Sequence, residues 1–208
     1  MPCELISWNR FYALARHLAL KVCESGFQPD IIVAIERGGY MPARVISDLL
    51  GVTNLTGFRI EHYQATHREP VAVVRYPLSV EVGDQRVLLV DDVSDTGDTF
   101  RVALDHLGGQ ASPTEIRTAA LHHKVISSFV PDLYAVKVAQ WRWIIYPWAV
   151  IEDLGVLIRA LEPRPDTAEG IARALERKHG VRVRQQSILD ALTLPPSLPG
   201  KPSRALSG

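Results

Sequence analysis

Residues 87–99 read VLLVDDVSDTGDT, and the fold turns on how this stretch is understood. Val87, Leu88, Leu89 and Val90 form a continuous apolar run, with Arg86 before it. Such a run, with no polar alternation, is the pattern of a strand covered on both faces, as in a parallel sheet. The chain then places Asp91, Asp92 and Asp95 together. Ser94, Thr96, Gly97, Asp98 and Thr99 lead into a helix predicted over residues 100–107 and closed by Gly108-Gly109. Ligands of open α/β sheets bind at the carboxyl edge of the strands. Backbone N–H groups at a helix start, beside hydroxyls and a glycine, bind phosphate. Carboxylates repel phosphate, so their presence makes sense if they hold sugar hydroxyls or act through a divalent ion. Helix capping accounts for Asp98 or Thr99 singly, but not for the whole segment. An acidic pair after an apolar strand also occurs in phosphoacceptor receiver domains. There the pair follows the first strand and no TGDT loop comes after it.

Upstream, Ser7 caps a helix whose apolar face is Trp8, Phe11, Tyr12, Ala15, Leu18, Ala19 and Val22, ended by Gly26. Residues 31–35 (IIVAI) read as a second buried strand, emptying into Glu36-Arg37-Gly38-Gly39. A helix restarts near Pro42, with Val45, Ile46, Leu49 and Leu50 inward and Gly51 at its end. Residues 55–63 and 71–76 read as strands around the polar segment 64–70, and 116–121 and 133–138 as two more. The alternation predicts an α/β fold, a parallel sheet flanked by helices, spanning residues 1–162. Pro163 and Pro165 mark a linker to a helical C-terminal extension over 163–194. In it Asp166 and Glu169 have capping-box spacing for a helix to His179. Residues 195–208, rich in Pro and Ser, read as a disordered tail.

The 208 residues are 47% hydrophobic, which fills a sizeable core. The 23 Lys and Arg balance 23 Asp and Glu, which argues against a bulk grip on nucleic acid. The basic run of Arg173, Arg177, Lys178, Arg182 and Arg184 reads as a solvated face. Ile171, Ala174, Leu175, Ile188, Leu189 and Leu192 are available to pack. Cys3 and Cys23 have no zinc spacing. No signal peptide or membrane span is evident, and the expectation is a cytoplasmic protein.

VLLVDDVSDTGDT resembles the phosphoribosyl pyrophosphate (PRPP) signature of type I phosphoribosyltransferases. Residues 31–52, IIVAIERGGYMPARVISDLLGV, resemble the strand, pyrophosphate loop and helix of the xanthine-guanine branch. Residues 143–148, WIIYPW, resemble its purine-side strand and Pro-Trp turn. The resemblance covers about residues 7–155 and implies the type I fold with a small hood, here residues 55–80 and 139–155. It implies Mg2+-dependent transfer of phosphoribosyl from PRPP to a nucleobase, releasing pyrophosphate, in a homodimer or homotetramer. Asp91 and Asp92 would then hold the ribose hydroxyls and the metal, directly or through water. Asp95, Thr96, Gly97, Asp98 and Thr99 would hold the 5′-phosphate, Ser94 would belong to the same PRPP site, and Arg37, Gly38 and Gly39 would face the pyrophosphate.

Asp95 points to the base. Orotate enzymes of the family commonly carry Thr there and 6-oxopurine enzymes Asp, whose carboxylate can accept the N7 proton. By the same resemblance Lys124 would donate to the purine 6-oxo group, Trp143 would stack on the ring and Ile144 would offer backbone groups to its edge. Tyr63 and Arg75 are lid candidates. The sequence departs from the branch at Ala149, often acidic there, where Glu152 or Asp153 could substitute, and at His62-Tyr63 in place of Ser-Tyr. The expected activity is 6-oxopurine phosphoribosyl transfer in purine salvage. Two alternatives remain, a non-catalytic PRPP or nucleotide sensor of the same fold and an enzyme for another base.

Overall fold

The computed structural model describes residues 1–63, 71–109 and 113–194. The polar segment 64–70 and the tail from 195 lie outside the described residues, as does the side chain of Tyr63. In chain order the elements are β1 (Cys3–Leu5), α1 (Trp8–Glu24), β2 (Ile31–Glu36), α2 (Tyr40–Leu50), β3 (Leu55–Tyr63), β4 (Val71–Tyr76), β5 (Arg86–Ser94), α3 (Asp98–Gly109), β6 (Glu115–Lys124), β7 (Leu133–Val138), β8 (Trp143–Ile145), α4 (Val150–Arg159), α5 (Ala168–His179) and α6 (Gln185–Thr193). The chain divides into two compact units, a larger one of Asn9–Trp141 and a smaller one joining Met1–Trp8 to the residues from Arg142 onward.

The larger unit is an α/β layer structure. Its six-stranded sheet has the order β4-β3-β2-β5-β6-β7, parallel except for the antiparallel β3–β4 pair. Residues 32–34 and 87–90 are fully buried, as their unbroken apolar runs require. Val87 and Leu89 share a core with Ile31, Val33 and Ile35 and with Phe100, Ala103 and Leu107 of α3. The β2–α2–β3 crossover runs one way across the sheet and β5–α3–β6 the other. Right-handed crossovers in opposite directions put their helices on opposite faces and open a crevice where the direction reverses. That point lies between the carboxyl ends of β2 and β5.

Several sequence expectations change in detail. β5 runs on to Ser94, paired with β6 through Asp91↔Ala120, Val93↔His122 and Ser94↔His123. A ladder joins main chains, so polar side chains do not end it. In α1, Trp8 and Tyr12 are exposed while Leu14 is buried with Phe11, Ala15, Leu18, Ala19 and Val22. The aromatic pair lies one stripe away from the core face. In α2, Ile46 is buried, but Val45, Leu49 and Leu50 are half-buried.

The smaller unit pairs β1 with β8 in parallel. It builds its core from Ile145, Leu154, Leu157 and Ile158 with Ile171, Leu175 and Ile188. Thus α4 packs in one core with α5 and α6, on either side of the expected linker at Pro163. β1 and α4 are elements the sequence reading missed. Thr167, not Asp166, caps α5, accepting from the Gly170 N–H. Leu189 and Leu192 are exposed. Arg173 and Arg182 pair with Glu169 and Glu176 on the surface. No helix among the described residues is long and apolar enough to cross a membrane.

The β5–α3 turn depends on Gly97, at φ +97°, where a Cβ would lie 2.5 Å from the Phe129 Cβ and 2.7 Å from its backbone nitrogen. Positive φ and close approach both select glycine. Gly97→Ala is expected to lower unfolding free energy by about 1–3 kcal/mol. Urea denaturation checks this, and an unchanged midpoint would show that the turn relaxes freely.

Candidate active site

β5 delivers its acidic residues to the crevice. A cavity of about 310 Å³ opens there, lined by residues 91–97, Thr99, Phe100 and His62. Asp91 is buried and its Oδ1 accepts the Asp92 N–H at 2.9 Å. Burial, and then the neighbouring Asp92 charge, push the Asp91 carboxyl well above the ordinary range. The β2–α2 loop approaches from the adjacent strand. A Cβ on Gly38 would meet the Asp92 carboxylate at 2.6 Å, and one on Gly39 the Ile35 carbonyl at 2.6 Å. The bare Gly-Gly backbone is what lets this loop lie against β5. Arg37 is exposed beside it, and the Glu36–Arg37 peptide is cis.

Residues 95–99 form a braced turn. The Thr96 hydroxyl donates to Asp98 Oδ2 at 2.8 Å and accepts the Asp98 N–H at 3.3 Å. Arg101 Nη1 reaches Asp98 Oδ1 at 3.2 Å. The Thr96 carbonyl accepts both the N–H and the hydroxyl of Ser128. Ser94 Oγ is buried against Ser127 Oγ and the Phe129 carbonyl, at 2.9 Å each. Its hydroxyl therefore braces the turn from behind.

Lys124 ends β6 with only 2% of its side chain exposed, and its Nζ donates to Asp95 Oδ2 at 2.7 Å. The same ammonium lies 4.7 Å from the centre of the Trp141 ring. Trp141 is 37% exposed. Nothing in a tryptophan-rich run distinguished it from its neighbours. Of the lid candidates, Arg75 on β4 faces Glu61 at 3.9 Å, and the Tyr63 backbone ends β3. Asp91 and Asp92 offer hard oxygen donors. Such donors suit Mg2+, which takes one or two carboxylates and completes its shell with water and substrate phosphates.

In the smaller unit, Trp143 Nε1 donates to Asp153 Oδ1 at 3.0 Å. Burial raises Asp153 to about 6, the Trp143 bond opposes the rise, and Glu152 adds to it. Trp143 N–H donates to the Pro2 carbonyl, and the Ile145 carbonyl accepts from Ile6. Parallel pairing uses alternate residues of a strand, so Ile144 turns its own N–H and C=O to the opposite edge of β8, where no strand among the described residues is paired. Ala149 precedes α4 and offers no side-chain cap.

Two expected outcomes follow from these carboxylates. Asp91→Asn removes a buried like-charge conflict and is expected to raise Tm. At this chain length about 1 kcal/mol corresponds to roughly 2–4 °C, and a lowered Tm would contradict it. For Asp153, a raised carboxyl contributes stability that is complete below the ordinary value of 3.8 and is lost as pH rises through about 6. The Trp143 indole N–H resonance should titrate with a midpoint near 6, and Asp153→Asn should abolish that step.

Residues 4–152 match the family model described as the phosphoribosyl transferase domain. Among curated relatives, the xanthine-guanine phosphoribosyltransferase of Chromohalobacter salexigens is 31% identical over 151 residues, covering 73% of this chain and 84% of that protein. The protein of the same name from Cereibacter sphaeroides is 27% identical over 149 residues, covering 69% and 84%. Among solved structures, the purine phosphoribosyltransferase of Pyrococcus horikoshii superposes with a TM-score of 0.63 at 33% identity, covering 71% of this chain and 94% of that one. With the family model spanning the acidic loop, the Gly-Gly turn and the lysine at the end of β6, the chain belongs to the phosphoribosyltransferase family.

Proposed function

We propose that the protein transfers phosphoribosyl from PRPP to a 6-oxopurine (guanine, xanthine or hypoxanthine), releasing pyrophosphate, and serves purine salvage. The observation that carries this reading is the Lys124–Asp95 pair at 2.7 Å. A 6-oxopurine presents an acceptor, O6, beside a donor, N7–H. An ammonium next to a carboxylate is the complementary arrangement. Adenine, with a 6-amino donor, would set donor against donor at the ammonium, which is costly in a buried site. The printed names of the relatives support the same substrate class.

Asp91 and Asp92 hold the ribose hydroxyls, and the hydroxyl donors relieve the pressure on the Asp91 carboxyl. Thr96, Gly97, Asp98 and Thr99 cradle the 5′-phosphate at the start of α3, with Ser94 as its support. Arg37 and the Gly38–Gly39 backbone face the pyrophosphate. Asp91 and Asp92 would hold Mg2+, which would supply charge neutralisation to the leaving diphosphate. The base nitrogen forms a bond to C1′ as the C1′–O bond to pyrophosphate breaks. Asp95 accepts the N7 proton, and Lys124 stabilises negative charge at O6.

A nucleobase panel with PRPP and Mg2+ tests the proposal. Turnover of guanine, xanthine or hypoxanthine is expected, and turnover confined to adenine, uracil or orotate would refute it. PRPP-induced thermal stabilisation with no turnover of any base would favour the sensor reading instead. Asp95→Asn keeps an acceptor for Lys124, so the fold should survive while kcat falls by about 10²–10⁴. Wild-type kcat would remove Asp95 from the chemistry.

A further inference from the structure

In the larger unit, β3 reaches the phosphate loop through one side chain. His62 Nε2 lies 3.2 Å from Thr99 Oγ1, and the exposed imidazole lines the cavity at the end of β5. The cavity wall carries Asp91, Asp92 and Asp95. Among the described residues lining it, His62 is the only side chain that can carry positive charge. A phosphate monoester brings about −1.5 to −2 charges into this acidic space. Main-chain N–H groups and the Thr96 and Thr99 hydroxyls supply dipoles but no net charge. An imidazole supplies an N–H and, when protonated, a cation, and hydrogen bonds from a cation are about twice as strong as neutral ones.

We propose that His62 is a ligand of the 5′-phosphate, reaching from β3 into the cradle, with the Thr99 hydroxyl holding its ring in place beforehand. This deepens the phosphoribosyl-transfer reading and rests on the cradle being a phosphate site. It gives the departure at His62 a function. An imidazolium at this position adds positive charge to a cavity lined by Asp91, Asp92 and Asp95. It also couples the two segments, because a filled cradle fixes the carboxyl end of β3.

Calorimetric titration of the full chain with ribose 5-phosphate and, separately, with pyrophosphate tests the proposal. His62→Ala should weaken ribose 5-phosphate by about tenfold or more, the effect of losing a charge-assisted hydrogen bond, and leave pyrophosphate affinity unchanged. His62→Gln, which can still donate but carries no charge, should fall between. In the wild-type protein, ribose 5-phosphate should move the His62 imidazole resonances. Wild-type ribose 5-phosphate affinity in His62→Ala, or a loss confined to pyrophosphate, overturns the assignment. Wild-type protein that binds no ribose 5-phosphate overturns the cradle reading, and the assignment with it. The two failures are distinguishable, because the second shows before any substitution is made.

Discussion

Four carboxylates, Asp91, Asp92, Asp95 and Asp98, stand within eight residues at the end of β5, and the site is built around keeping them together. Like charges at this density repel, yet each is accommodated differently. Asp91 is buried and favours its proton. Asp92 lies against the bare backbone of Gly38. Asp95 is paired with the buried Lys124 ammonium. Asp98 is tied to Thr96 and Arg101. Identical side chains thus acquire four environments, which is what allows neighbouring positions to take up different chemistry.

The sheet makes this possible by position. β2 and β5 are buried along their whole apolar length and release their chains at the same edge, where the crossover direction reverses. The Arg37-Gly38-Gly39 turn and the acidic turn must therefore meet. Lys124 joins them because β6 continues beside β5 past the last apolar residue.

Much of this was legible in the sequence because its signal is local. The buried strands, the acidic turn and the glycine loop are contiguous, and residues 87–99 alone specify a strand, its polar edge and the following helix. Asp95 and Lys124 could be named, but not their pairing, which depends on strand register rather than spacing. Trp141 and the His62–Thr99 contact were hidden for the same reason: each joins residues far apart in sequence. β1 was missed because three residues carry too little periodicity, and α4 because the Trp-Pro run before it drew the reading toward a strand and turn.

The connection from β6 to β7 occupies only residues 125–132 and contains no helix, whereas parallel strands are ordinarily joined by a dozen or more residues. Within it, Ser127, Ser128 and Phe129 support Ser94, Thr96 and Gly97 by hydrogen bonds and direct packing. Surface connections are usually where proteins tolerate insertions and deletions most freely. This one is different, because one residue more or less would shift the floor beneath the β5–α3 turn. Length variation is closed off here by the geometry of a neighbouring loop, and change in this segment is confined to side chains that leave the three supports in place.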